Sequence, residues 1–180
     1  MTAKKRPPSN LPPPPPEVPR CDETFGMAPR FVEKLDALVT RMKRLNWPVL
    51  IYETTRTDAR QRYLYGFGRE YDDGRGIVTH SINCDHTWHS EHFGLAADII
   101  HVSQGWDAPA AFWVALRTEA ERLGLRSGAD WDMRPETRED FVDAPHVQWG
   151  PPMRRSPSPH AKQLWESGGL RAVWREVGAI

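Results

Sequence analysis

His89, His92 and Asp98 fall within one short segment, Thr87-Trp88-His89-Ser90-Glu91-His92-Phe93-Gly94-Leu95-Ala96-Ala97-Asp98. A second segment, Asp143-Ala144-Pro145-His146, sets a carboxylate three residues before a histidine. Asp98 stands inside an apolar run, Leu95-Ala96-Ala97-Asp98-Ile99-Ile100. A carboxylate buried there is costly unless hydrogen-bond donors, an arginine or a metal ion meet it. If a histidine before Gly94 and Asp98 are to meet one ion, the chain between them must double back. An extended strand would carry six residues about 20 Å. Nitrogen and oxygen ligands, one position left for water, and a nearby carboxylate base are the needs of a hydrolytic zinc site.

The rest of the composition narrows the setting. The 180 residues suit one domain with a real core. The 24 basic and 24 acidic side chains cancel, so no electrostatic footprint for nucleic acid or an anionic membrane is present. No apolar run reaches the length of a membrane span. Cys21 and Cys84 have no zinc-type spacing and imply no disulfide framework. Lys4-Lys5-Arg6 is followed by proline where a signal peptide needs an apolar segment, so the product is expected to start in the cytoplasm. Residues 1–22, with Pro12 to Pro16, favour extended polyproline II and are expected to form a disordered leader ahead of a domain at 23–180. Such a leader could be a spacer or a ligand for a partner.

Phe31, Leu35, Leu38 and Met42 recur at helical spacing and predict a helix over 29–45. Residues 49–52 read as a short buried strand. Thr57 or Asp58 caps a helix that ends at the glycines 66 and 68. Strands are expected at 77–79, 95–102 and 146–149, and helices at 109–123 and about 159–176. In the third strand, Ala96 and Asp98 share one face, with Leu95, Ala97 and Ile99 on the other. This order predicts an α+β fold, a small, mainly antiparallel sheet flanked by helices.

Several ordered motifs carry a resemblance. They are Arg56-Thr57 with Gln61, Leu64-Tyr65, Gly68-Arg69, Val78-Thr79, Gly94-Leu95-Ala96-Ala97-Asp98, Gly124-Leu125, Gly128-Ala129-Asp130-Trp131 and Asp143-Ala144-Pro145-His146. Over residues 28–180 the chain resembles the zinc peptidases that include D-alanyl-D-alanine carboxypeptidases and dipeptidases and the L-alanyl-D-glutamate endopeptidases of phage endolysins. The resemblance implies a hedgehog/D-Ala-D-Ala-peptidase-like fold and a Zn2+ cofactor. It further implies Asp98 and His146 as ligands, Asp143 as general base and Arg56 as the group that stabilises the transition state. Gln61, Asp130 and Trp131 would line the substrate groove.

The first histidine of that pattern does not align. Seven residues before Asp98 stands Glu91. His89 fits if the loop is two residues longer, His92 if it is one shorter, and Glu91 could itself bind zinc. A longer loop folds back more easily, so His89 is preferred, then His92, then Glu91. A degenerate site that holds metal poorly is a fourth reading.

Aspartate at the base position resembles the L-alanyl-D-glutamate endopeptidases more than the dipeptidases. The expected activity is therefore zinc-dependent hydrolysis of peptidoglycan stem peptides by a monomer, in the manner of an endolysin that reaches the wall after holin-mediated release. The rivals are a D-alanyl-D-alanine carboxypeptidase and a non-catalytic domain of the same fold that binds wall peptide or a protein partner.

Overall fold

The computed structural model describes residues 10–130, 142–150 and 156–180. Helix α1 spans Pro29–Arg44, and its stripe of Phe31, Leu35, Leu38 and Met42 is fully buried. The stripe packs on helix α3, Ala110–Arg122, whose Phe112, Leu116 and Ala120 face it, and on strand β1, Val49–Glu53. Truncating one of these side chains, as in Leu35→Ala, is worth about 2–5 kcal/mol.

Helix α2, Asp58–Gly66, starts at Thr57, whose hydroxyl accepts the Arg60 N–H at 3.2 Å. Strands β2 (Ala96–His101), β3 (Leu125–Ser127) and β4 (His146–Trp149) complete a four-stranded sheet in the order β1-β2-β4-β3, antiparallel throughout. Helix α4, Pro159–Glu176, is capped by Ser158 and kinks at Gly169. It buries Ala161 and Val173, and Trp174 Nε1 donates to the Phe93 carbonyl at 2.6 Å. The fold is α+β, four helices around a small antiparallel sheet, as the order of periodicities implied.

The register sets up the site. Glu53 pairs with Asp98 across β1 and β2, and Asp98 pairs with His146 across β2 and β4. Directly paired residues project to the same side of a sheet, so these three side chains form one row. Every residue of β2 and β4 is buried. Helices α1 and α3 supply the apolar cover on one side, and the row faces the other.

Two expectations need correction. Residues 77–79 form no strand; they are loop. The Gln61 amide donates to Thr79 Oγ1 and to the Ser81 carbonyl at 3.2 and 2.6 Å, so a side chain, not a ladder, holds this stretch. The outer strand beside β4 is instead β3, whose three residues are too few to print an alternating pattern in the sequence.

Candidate metal centre

The loop before β2 doubles back through its own backbone. The Phe93 and Gly94 N–H groups both donate to the Ser90 carbonyl, and the Leu95 N–H donates to Trp88 O at 3.1 Å. Gly94 has φ +59°, and a Cβ there would lie 2.1 Å from the Gly26 carbonyl oxygen, so no other residue fits the turn. The loop is stitched to the chain after β1 as well. Arg56 N–H donates to His89 O at 2.6 Å, and Glu91 N–H to Arg56 O at 3.0 Å. On the other side, His146 N–H closes a turn onto Asp143 O, and Asp143 N–H donates to Gly128 O. A Cβ on Gly128 would lie 2.4 Å from Asp143 O and 2.9 Å from His146 Cβ, which explains a glycine at the head of that motif.

These constraints bring His89, Asp98 and His146 together, all buried. His89 Nε2 lies 3.0 Å from His146 Nδ1 and 3.2 Å from Asp98 Oδ1, and His146 Nδ1 lies 3.5 Å from the same oxygen. The far nitrogens reveal the protons. His89 Nδ1 is 2.7 Å from the Thr54 carbonyl, which can only accept, so Nδ1 carries the hydrogen. His146 Nε2 is 3.0 Å from Gln148 Oε1, so that nitrogen carries its hydrogen too. In neutral rings of those tautomers, His89 Nε2 and His146 Nδ1 turn acceptor nitrogens toward each other and toward Asp98 Oδ1. Asp98 Oδ1, buried, receives no hydrogen bond among the described residues.

Three acceptors facing one another repel unless a cation sits among them. A tetrahedral zinc with ligands about 2.0–2.1 Å away would hold them about 3.3–3.4 Å apart, close to the separations found. The residues fit the ion. Thr54 O and Gln148 Oε1 act as the outer partners that fix ring orientation and tautomer.

The second oxygen of Asp98 is already taken. Arg56 Nη2 donates to Oδ2 at 2.6 Å, and Arg56 Nε donates to Glu53 Oε2 at 2.6 Å. Arg60 Nε takes the other Glu53 oxygen at 2.7 Å. Burial opposes ionisation of Asp98, but the charges of His89, when protonated, and of Arg56 outweigh it and hold the carboxyl well below the usual range. Burial likewise opposes the charge on Arg56, but Glu53, Asp98 and Asp143 raise its pKa further. The site holds an ionised carboxylate beside a buried guanidinium.

The row opens into a cavity of about 1280 Å³ lined by Arg56, His89, Asp98, Asp143 and His146 among others. Tyr52 and Trp106, edge to face at 5.3 Å, stand on its wall with Arg75, His80 and His86. Of the other candidates, His92, Glu91 and Gln61 fall elsewhere. His92 stacks on Trp165 with ring centres 3.7 Å apart, and its Nδ1 lies 3.3 Å from Asp85. Glu91 is exposed. Gln61 is buried beneath the loop it holds. Asp130 ends the short turn Gly128–Asp130, and Trp131 lies outside the described residues. Sequence reading missed Glu53, Thr54, Arg60 and Gln148. Gln148 had a signal, since it stands two residues from His146 on one strand and so on the same face. The other three had none, because their roles depend on contacts between segments.

No protein-family model matches the chain, and no curated protein matches it. Solved structures similar to it include three peptidases. The vancomycin-resistance D,D-pentapeptidase VanY, in complex with Zn(II), has a TM-score of 0.50 at 15% identity, over 87% of this chain and 89% of that one. The L-Ala D-Glu endopeptidase ChiX of Serratia marcescens has a TM-score of 0.46 at 21% identity, over 70% and 82%. The LD-carboxypeptidase LdcB has a TM-score of 0.45 at 16% identity, over 94% and 78%. At such identities the likeness to the D,D-pentapeptidase is one of fold: this chain has the α+β architecture of a VanY-like peptidase.

Proposed function

We propose that this chain is a zinc-dependent peptidase of peptidoglycan stem peptides, an L-alanyl-D-glutamate endopeptidase acting as a monomer. One observation carries the reading. Two imidazole nitrogens and one carboxylate oxygen converge within 3.5 Å, beside a cavity that Asp143 and Arg56 also line. His89, Asp98 and His146 would hold the ion. Bound zinc would supply an acidified water and polarise the scissile carbonyl. Asp143 accepts the proton of the attacking water and returns it to the leaving amine. Arg56 keeps Asp98 ionised and aimed, and places a fixed positive charge where the carbonyl oxygen becomes negative. Arg75, whose Nε and Nη2 are bonded to Asp73, stands on the cavity wall with His80 and His86.

A D-alanyl-D-alanine carboxypeptidase, which would take a terminal carboxylate into the same cavity, is the second reading. Purified protein incubated with defined muropeptides, with zinc and with chelator, separates them by mass spectrometry. Zinc-dependent products with a new N-terminus at D-glutamate are expected. Loss of terminal D-alanine alone would give the carboxypeptidase. No product and no bound zinc would leave a peptide- or partner-binding domain, and would remove the enzymatic reading.

A further inference from the structure

Residues 10–22 form no helix or strand, yet they are bonded to the domain at several points. Asp72 N–H donates to Pro12 O at 3.0 Å. Val18 packs against the buried cluster of Tyr63, Leu64 and Phe67. The Arg20 guanidinium lies 4.5 Å from the centre of the Tyr52 ring. Two of the contacts lead to the metal centre by separate routes.

The first route runs through Thr54. Its N–H donates to Cys21 O at 2.7 Å, and its hydroxyl is 2.6 Å from Glu23 O and 3.1 Å from Cys21 O. Thr54 O is the acceptor that fixes the His89 ring. The second runs through arginines. Arg60 Nη1 donates to Val18 O at 2.8 Å and meets Glu17 at 3.1 Å. Arg60 then holds Glu53, Glu53 holds Arg56, and Arg56 holds Asp98. Arg60 is 3% exposed, so the strap carbonyl and Glu17 satisfy donors that would otherwise be left buried.

We propose that residues 17–23 are a positioning strap for the metal centre: through Thr54 and Arg60 they fix two of its three ligands, His89 and Asp98. The strap touches no reacting atom. Its effect is on how well the empty site is arranged for an ion, a kind of outer support whose loss weakens metal binding about 10- to 100-fold. This rests on the zinc reading above.

The test measures zinc affinity by competition with a chromophoric chelator. It adds the visible spectrum of the Co2+-substituted chain and the melting temperature of the metal-free chain. Full-length protein is compared with chains lacking residues 1–11 or 1–23, and with Arg60→Met and Thr54→Val. Removing 1–11 is expected to leave affinity within twofold. Removing 1–23 and Arg60→Met are each expected to weaken zinc by 10- to 100-fold and change the cobalt spectrum. Thr54→Val, which loses only the hydroxyl donor, is expected to weaken zinc about threefold. Zinc affinity within twofold of full length in whichever of the 1–23 deletion, Arg60→Met and Thr54→Val fold, with or without a lower melting temperature, overturns the strap. Thr54→Val, nearly isosteric, decides if the others do not fold. A full-length chain that binds no zinc fails the metal reading itself, a distinguishable result.

Discussion

His89 and His92 lie three residues apart on one tight loop and face opposite parts of the molecule. On the sheet side, His89 meets Asp98 and His146, and its outer nitrogen is spent on a backbone carbonyl. On the α4 side, His92 lies flat on Trp165 and beside Asp85, whose other oxygen is 2.6 Å from Lys162 Nζ. Both regions pair a histidine with an aspartate. Each also contains a cation on that aspartate, Lys162 in one and Arg56 in the other. The sheet cluster gathers three acceptors and leaves Asp98 Oδ1 without a donor among the described residues. The candidate metal site is thus marked by acceptors that converge on one point, not by the presence of histidine alone.

The comparison breaks most visibly if the sheet cluster holds no ion. His89→Ala or His146→Ala should reduce zinc from one per chain to almost none, by elemental analysis. Hydrolysis should fall with it by about 10³-fold or more, since several kcal/mol of transition-state stabilisation goes with the metal. Zinc content unchanged in both would place the site elsewhere. Asp143→Ala should keep zinc and melting temperature but lower turnover by about 10²- to 10⁴-fold; full activity would remove the base assignment.

Arg56→Ala strips a buried partner from both Glu53 and Asp98. It should cost about 3–5 kcal/mol in urea unfolding, and lower turnover by far more than it lowers zinc content.

His92→Ala should leave zinc and turnover within twofold and cost about 1 kcal/mol through lost ring stacking. A loss of zinc there would reverse the two histidines. The smallest effect concerns acid. The hydrogen bond from Lys162, working against partial burial and aided by His92, lowers the Asp85 pKa. A carboxyl with a depressed folded pKa stabilises the fold above its unfolded pKa, and the contribution is lost as pH falls through the folded value. Asp85→Asn should therefore flatten the acid side of the stability profile below the ordinary carboxylate range. An unchanged profile would show that this pair does not clamp α4.

Much of the fold was readable because it rests on local pattern. The stripe of α1, the Thr57 cap, the apolar run of β2 and the span of α4 each lie within one stretch of chain. The failures were of another kind. Ile77 to Thr79 carries strand-forming residues, but the Gln61 side chain captures it as loop. β3 is only three residues long and exists because β4 lies beside it. Gln61, expected to line the substrate groove, is buried under a loop it holds, whereas Arg56 lines the cavity while bonded to Glu53 and Asp98.

What the sequence determined by itself was the supply of ligands and the elements that carry them: an aspartate within an apolar strand, a histidine heading another, and histidines in a loop with glycine at its exit. These follow from short-range periodicity and turn chemistry, which act over a few residues. What only the tertiary structure decided was which histidine turns inward and which groups hold it. That choice depends on the β1-β2-β4 register, which aligns Glu53, Asp98 and His146, and on a carbonyl from Thr54 that lies 35 residues from His89 in the chain. Hydrogen bonds between distant segments form only once the sheet has assembled, and nothing in the local pattern records them.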